Sequence, residues 1–330
     1  MTAKEALDAA NDAEPANIRA GNGEGMSGDS PVVETPADQL RTVEQSPLPG
    51  YYFVAFVDLL GESNKLTAIA GTPRTDNEKL ANLRAMKEAT ELVRNVRNSF
   101  AEYFKMRTAD PAVLEKLPPE RREEFARIRS LKVFQVGLSD SFVIGIPLTP
   151  REGESEPVAL ARAVNDIANA LLGLACLSLA ALQQGIPLRA GIDVGLGMEM
   201  FPNEVYGPAL LNAYHLESQV AEYPRTAFGE TFFAYLSFLE GLPKDVILNQ
   251  FTANMVQHCR QFVCPSPDDG WPMLHFLSPF VMAAPGGFVK ARQDADAWVK
   301  AQIARYGVER NGKLLRRYTR LSRYFDAYKA

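Results

Sequence analysis

One stretch of the sequence, YYFVAFVDLLG, constrains the fold more than any other part of the chain. It runs from Tyr51 to Gly61 and consists largely of aromatic and apolar side chains, which predicts a buried β-strand. The strand ends in a single carboxylate, Asp58, and a Gly-containing turn follows it.

The segments after this strand alternate between helical and strand patterns. Apolar spacing predicts helices over about 77–105 and 157–184, with two strands between them over 131–148. A tight turn at Ser139–Asp140–Ser141 joins those two strands. Further strands are expected over 188–194, ended by Gly195 and Gly197, and over 226–228. This order predicts one α+β domain, an antiparallel sheet flanked by helices.

The first 49 residues have a different composition, with nine acidic residues, three basic residues and no aromatic residue. Such a segment cannot bury enough apolar surface to offset the entropy lost on ordering, so we predict a disordered acidic tail over 1–49. A catalytic domain is expected over 50–240, and a C-terminal extension over 241–330 that packs on this domain or completes it.

Charge and hydropathy limit the partners of the chain. A net charge of −5 and a pI near 5.5 argue against nucleic-acid binding. The apolar stretch Ile167–Leu182 is shorter than the roughly 20 residues that span a bilayer, so we expect a core helix and no membrane insertion. Three cysteines are too few for a disulfide framework, and a cytoplasmic location is expected.

Two aspartates are candidates for chemistry. Asp58 closes an apolar strand, and Asp140 lies at the tip of the predicted hairpin. Either one alone is most simply a turn residue that bonds its own backbone. As a pair, they could supply hard oxygen ligands to Mg²⁺ or Mn²⁺, as phosphoryl transfer requires. The turn Leu60–Gly61–Glu62–Ser63 could offer backbone N–H groups to a polyphosphate, or it could be only a tight turn.

Four segments together resemble the class III nucleotidyl cyclases. Phe56–Ser63 (FVDLLGES) is similar to the family's F-x-D-x-x-G-F-T strand, and Ser139–Asp140 is similar to its Gly-Asp hairpin tip. Arg189–Gly195 (RAGIDVG) matches R-x-G-I-x-x-G, and Tyr206–Glu217 (YGPALLNAYHLE) is similar to Y-G-x-x-V-N-x-A-x-R-L-E. The matches occur in family order between residues 51 and 230, over half of the chain.

The departures from the family pattern concern substrate recognition. The Lys and Asp that read the adenine edge in purine cyclases correspond here to Val136 and Glu204. The family's ribose-orienting Asn falls on Leu211, with Asn212 next to it, and its phosphate-stabilising Arg falls on His215. His215 could donate to the phosphate or be a polar residue on a helix face. The metal aspartates are retained, whereas the residues that read the base are replaced.

This combination resembles the pyrimidine cyclases of the bacterial Pycsar anti-phage system. An inserted charged segment separates Asp58 from Asp140 by 82 residues. The resemblance implies conversion of UTP to 3′,5′-cyclic UMP and pyrophosphate, with the product acting on an effector. It also implies a head-to-tail homodimer, two Mg²⁺ or Mn²⁺ ions on Asp58 and Asp140, and His215 supplied by the second chain. The triphosphate would bind the N–H groups of Leu60 to Ser63.

We predict that the base is uracil. Val136 removes the donor that adenine N1 needs, and the Glu204 carboxylate or a backbone carbonyl can accept a hydrogen bond from the uracil N3–H. By strand alternation Phe56 and Leu138 point the same way as the aspartates, which suits a smaller ring. A cytidylate or purine (adenylate or guanylate) cyclase and a catalytically inactive cyclase-like nucleotide sensor are the alternatives.

The C-terminal end carries a basic cluster. Its arginines recur at helical spacing and are expected to form a solvated helix face, although a regulatory contact is an alternative: Arg316, Arg317, Arg320 and Arg323.

Overall fold

The computed structural model of the chain describes residues 49–61, 69, 71–105, 118–129, 133–201 and 203–329. The predicted acidic tail lies outside the described residues. From residue 49 onward, these residues belong to one compact unit, Pro47–Ala330. The predicted division of this unit at residue 240 stays a prediction.

The described elements follow one another in a mixed order of strands and helices. They are β1 (Gly50–Leu59), α1 (Asp76–Phe104), α2 (Pro119–Ile128), β2 (Phe134–Leu138), β3 (Ser141–Pro147), α3 (Glu156–Gln183), β4 (Leu188–Phe201), β5 (Glu204–Tyr206), α4 (Pro208–His215) with a π-helical turn (Leu216–Val220), β6 (Thr226–Phe228), α5 (Glu230–Glu240), α6 (Ile247–Arg260), β7 (Val263–Pro265), β8 (Pro272–Leu274), α7 (Pro279–Ala283), α8 (Phe288–Val308) and α9 (Gly312–Ala327).

The strands form one sheet in the order β2-β3-β1-β4-β6-β8-β7, with β5 paired to β4. The predicted α+β class and the sheet flanked by helices are confirmed. Every described strand pair is antiparallel except β4–β6, which is parallel. β4 does not end at Gly195 and Gly197, as we predicted, because extended backbone continues through both glycines to Phe201.

The two faces of β1 bury different layers. Alternate residues from Phe53 to Leu59 pack with α1 and α3 in the main core, whereas Tyr52, Val54 and Phe56 pack with α4. Because side chains alternate along a strand, Asp58 belongs to the α4 face. The position of α4 therefore decides what surrounds this aspartate.

Helix α3 lies at the centre of the main core. It is the one described helix that is long and apolar enough to cross a membrane, and 94% of its most apolar stretch is buried inside the fold. The helix packs against α1, α6 and α8. Its burial agrees with the predicted core helix.

Charged contacts tie the last helix, α9, to the loop between β7 and β8 and to the residues after the π-helical turn. Arg320 Nε lies 2.6 Å from Asp268 Oδ2, and a second nitrogen of Arg320 pairs with Glu222. Arg323 pairs with the other oxygen of Asp268 at 2.8 Å. The prediction of a solvated arginine face is therefore wrong at Arg320, because this side chain is committed to ion pairs.

Helix α4 packs directly on the backbone of β4, and Gly191 makes that approach possible. A Cβ atom at Gly191 would lie only 2.1 Å from the Ala213 carbonyl oxygen and 2.6 Å from the Glu217 nitrogen. Both neighbours are backbone atoms, which cannot swing aside as a side chain does. The glycine of the R-x-G-I segment is thus required by helix packing.

We expect Gly191→Ala to lower the free energy of unfolding by about 1–3 kcal/mol, because the added methyl group overpacks this contact. Gly195→Ala is the matched control, since a Cβ there would meet Ala209 at an ordinary 3.4 Å. Urea denaturation of both variants measures the difference. Equal stability of the two variants would contradict the close packing of α4 on β4.

Candidate active site

Asp58 lies in a row of side chains that crosses four neighbouring strands. Leu138 on β2 is opposite Ser141 on β3, Ser141 is opposite Asp58, and Asp58 is opposite Arg189 on β4. Paired residues share a face of the sheet, so these side chains can meet on the α4 face. Two of the four resembling segments therefore contribute to one row, and Leu138 and Ser141 in that row flank the third segment, Ser139–Asp140.

The Asp58 carboxylate is held from both sides. Ser141 Oγ donates to Asp58 Oδ1 at 2.9 Å, and Arg189 Nη2 donates to Asp58 Oδ2 at 3.2 Å. Arg189 Nε forms a second ion pair, 2.5 Å from Glu217 Oε1 in the π-helical turn after α4. Arg189 thus links the end of β1 to the end of α4.

Glu217 is the most deeply buried carboxylate of this cluster, with a side chain only 3% exposed. Burial raises the pKa of its carboxyl to about 7; Arg189 acts in the opposite direction, and Asp58 adds to the rise. The ion pair with Arg189 offsets the cost of burying the ionised Glu217 carboxylate.

Asp140 occupies the turn between β2 and β3, next to the Asp58 row. The Leu59 N–H donates to the Asp140 carbonyl at 3.2 Å, and Ser139 before it has a left-handed φ of 58°. Asp140 lines a cavity of about 610 Å³ on the α1 side, which also contains Arg97. Joint coordination with Asp58 requires the Asp140 side chain to reach over the strand end toward the α4 face.

The chemistry of these donors suits a hard divalent cation. Carboxylate oxygens are the preferred ligands of Mg²⁺, and the Asp140 carboxylate makes no ion pair or hydrogen bond with another described residue. The Asp58 carboxylate is the same kind of ligand, although one of its oxygens already forms an ion pair with Arg189. Within the described part of the chain, no group of three or more His, Cys, Asp or Glu side chains could hold a metal. Asp58 and Asp140 stay the predicted ligands.

The predicted phosphate-binding turn is only partly supported by its geometry. The Leu60 N–H already donates to the Pro187 carbonyl at 3.0 Å, so it is not a free donor for a phosphate. Gly61 is exposed, and its φ of 98° is a conformation that glycine adopts without strain. Glu62 and Ser63 lie outside the described residues.

The predicted ribose- and phosphate-reading residues lie on α4. Leu211 is 62% exposed, and His215 is an exposed residue at the end of the helix. Asn212 Nδ2 donates to the buried Asp193 Oδ2 at 3.2 Å, and the Phe232 N–H donates to the other oxygen of Asp193. Asn212 therefore helps to join α4, β4 and α5 in this chain.

The predicted base-binding residues divide into two distant groups. Val136 lies on the α4 face, near the buried Phe56, whose ring meets Tyr214 edge-to-face with centroids 5.2 Å apart. Glu204 is exposed and pairs with Phe201 at the far end of β4. Phe201 is twelve residues from Arg189, or about 40 Å along an extended strand at roughly 3.3 Å per residue. One copy of the chain does not bring Glu204 beside Asp58.

Two residues of the cluster were missed as site residues. Arg189 and Glu217 were noted only as parts of the resembling segments, and neither was given a role. Each lies at the end of an apolar segment, and their opposite charges are the feature of the sequence that could have indicated an ion pair. Their distance in sequence, 28 residues, hid the contact.

The chain resembles known proteins in structure but not in sequence. No protein-family model matches the chain, and no curated protein matches it in sequence. The crystal structure of the adenylyl cyclase CyaB from P. aeruginosa matches over 58% of this chain and 83% of that chain, with 13% sequence identity and a TM-score of 0.32.

Above the raised pKa of Glu217, where its carboxylate is ionised, replacing Arg189 by Leu should lower the free energy of unfolding by about 3 kcal/mol, because it leaves the buried Glu217 charge without a partner. The double variant Arg189→Leu/Glu217→Leu should lose less than the sum of the two single variants, by at least about 1 kcal/mol. Urea denaturation of the four proteins gives the coupling. Additive losses would show that the ion pair contributes nothing.

Proposed function

We propose that this chain is a nucleotidyl cyclase that converts UTP to 3′,5′-cyclic UMP and pyrophosphate, a second messenger in anti-phage defence. One observation carries the proposal: segments far apart in sequence meet around Asp58. Its carboxylate contacts Ser141 beside the hairpin tip and Arg189 of the R-x-G-I segment, which in turn pairs with Glu217 of the α4 segment. A chance resemblance gives no reason for these segments to meet.

The proposed reaction is an in-line displacement at the α-phosphorus. The ribose 3′-OH loses its proton to solvent and its oxygen forms a new bond to the α-phosphorus, the bond from that phosphorus to the oxygen bridging to the β-phosphate breaks, and pyrophosphate leaves. Mg²⁺ or Mn²⁺ on Asp58 and Asp140 would lower the pKa of the 3′-OH and offset phosphate charge. Ser141 and Arg189 fix the direction of the Asp58 carboxylate, and Glu217 fixes Arg189. His215 of a second copy would donate to the phosphate.

Uracil recognition is the finer part of the proposal. The side chains beside the Asp58 row on the same face, Val136, Val143 and Phe56, are apolar and offer adenine no donor. Glu204 is exposed and free to accept from the uracil N3–H. Cytosine has an unprotonated N3 there, and leaving such buried polar groups unpaired costs about 1–3 kcal/mol each.

A homodimer is needed for Glu204 to take part, because Glu204 is far from Asp58 within one copy. Exposed apolar side chains support such an assembly. They lie on β4, β5 and α4, and each is 48–69% exposed: Leu196, Met200, Phe201, Tyr206, Leu211 and Tyr214. Contiguous exposed apolar patches are typical of protein interfaces, and we propose that these side chains contribute to one. A head-to-tail pair would place the β4–β5 hairpin of one copy against the sheet face of the other.

A second candidate function has one observation in its favour. Both Asp58 oxygens already accept hydrogen bonds, from Ser141 and from Arg189. This arrangement is stable without a cation and favours an inactive cyclase-like nucleotide sensor. Manganese-dependent pyrophosphate release distinguishes the two, because a sensor binds nucleotide without releasing pyrophosphate.

Asp58→Asn and Asp140→Asn should each reduce cyclic nucleotide formation by about 100-fold or more, since each removes a proposed metal ligand. Both amides are close in size to the carboxylate, so the fold should survive. Asp245→Asn, the same change at an exposed position in the loop before α6, is the control and should keep full activity. Wild-type rates in either site variant would overturn the metal assignment.

Incubation with an equimolar mixture of the four nucleoside triphosphates should yield cyclic UMP as the main product, detected by mass spectrometry. A preference over CTP of about 5- to 150-fold corresponds to one unpaired buried group. Preferred turnover of ATP or GTP would contradict pyrimidine selection. Preferred turnover of CTP would contradict only the role of Glu204.

Phe201→Asp should convert the dimer to a monomer and abolish activity, because it places a charge in the proposed apolar interface. Light scattering after size-exclusion chromatography gives the mass. Val308→Asp is the matched control, since Val308 is 86% exposed at the end of α8, outside the proposed interface. A wild-type chain that is monomeric and active would rule out the shared site.

A further inference from the structure

A basic cavity lies between α9 and the Asp58 cluster. It has a volume of about 370 Å³, and six of its lining residues are charged: Arg189, Lys313, Arg316, Arg317, Arg320 and Glu222. We call it the α9 cavity. Five cations around one carboxylate are costly unless a negative charge compensates them.

The charges of the α9 cavity are only partly compensated within the chain. Arg320 pairs with Asp268 and Glu222, and Arg189 pairs with Asp58 and Glu217. Lys313, Arg316 and Arg317, by contrast, make no ion pair or side-chain hydrogen bond with another described residue. Burial, followed by the nearby Arg189 cation, lowers the pKa of the Arg317 guanidinium. The cavity therefore holds an excess of positive charge.

This excess charge lies next to the end of β1. Arg317 also lines a second cavity, of about 590 Å³, together with Leu60 and Gly61, the residues that follow the Asp58 strand end. Arg189 joins the α9 cavity to Asp58 itself, through the 3.2 Å ion pair. Arg317 is thus shared between the α9 cavity and the turn proposed to bind the phosphates.

We propose that the α9 cavity binds the β- and γ-phosphates of the nucleotide through Arg316 and Arg317, with Lys313 nearby. Guanidinium groups match the planar, multiple-acceptor geometry of phosphate. Three uncompensated cations suit a polyphosphate better than a single carboxylate. The proposal rests on the proposed cyclase function for the identity of the ligand. It gives α9, which lies outside the segments that resemble the cyclases, a role in holding the leaving pyrophosphate.

The test compares two double variants with the same change in charge. Arg316→Gln/Arg317→Gln neutralises the cavity, whereas Arg310→Gln/Lys329→Gln neutralises two exposed residues that flank α9 and line neither cavity. Isothermal titration calorimetry measures the affinity of full-length protein for inorganic pyrophosphate, with Mg²⁺ present. Thermal unfolding verifies that both variants fold.

We expect at least about 10-fold weaker pyrophosphate binding in the cavity variant, because each lost contact is a charge-assisted hydrogen bond, and no change in the control. UTP should compete with pyrophosphate for the wild-type protein. Equal affinities in the two variants would overturn the site. Pyrophosphate binding that UTP does not displace would overturn its assignment to the substrate.

Failure of this proposal and failure of the cyclase function give different results. If the wild-type chain forms cyclic nucleotide while the cavity variant keeps its KM and its pyrophosphate affinity, the α9 proposal fails alone. If no triphosphate is cyclised but the cavity variant loses pyrophosphate binding, the anion site stands and the cyclase function fails.

Discussion

The arrangement around Asp58 depends on a single side chain, Arg189. Its guanidinium lies between Asp58 and Glu217, so it ties the end of β1 to the turn after α4. Two carboxylates this close to each other and this well shielded would repel without the cation between them. The ion pair therefore keeps Asp58 at the sheet face in a defined direction. The same contact makes Arg189 the competitor of any metal ion for Asp58.

The packing of α4 on β4 is the second requirement of this arrangement. Gly191 lets the helix backbone approach the strand, and this approach brings Glu217 within reach of Arg189. The same packing leaves the outer side of α4 and the β4–β5 hairpin exposed and apolar. Exposed apolar side chains here are the physical basis of the proposed association with a second copy.

Much of the architecture could be predicted from local patterns in the sequence. The apolar run of β1 and the helical spacing of α1 and α3 identify those elements, because burial of one face imposes a period on the sequence. The full length of β4 was missed, because Gly195 and Gly197 suggested a turn. In the sheet these glycines accommodate packing against Ala209 and Val205 instead.

The two aspartates of the site could be predicted from the sequence, but the ion pairs around them could not. Asp58 and Asp140 are conspicuous as carboxylates at strand ends, whereas the Arg189–Glu217 pair depends on which elements pack together. The position of Arg317 is even less evident from the sequence. Its helical spacing suggested a solvated face, but the docking of α9 turns it toward the Asp58 cluster. Long-range packing of this kind leaves no periodic signal in the sequence.

The most direct test of the account is a crystal structure with Mn²⁺ and 3′-deoxy-UTP, which cannot cyclise. Anomalous scattering locates manganese independently of the protein. We expect manganese peaks within about 2.2 Å of carboxylate oxygens of both Asp58 and Asp140. Nucleotide bound without manganese at Asp58, with Arg189 still its sole charged partner, would contradict a cyclase site on this face.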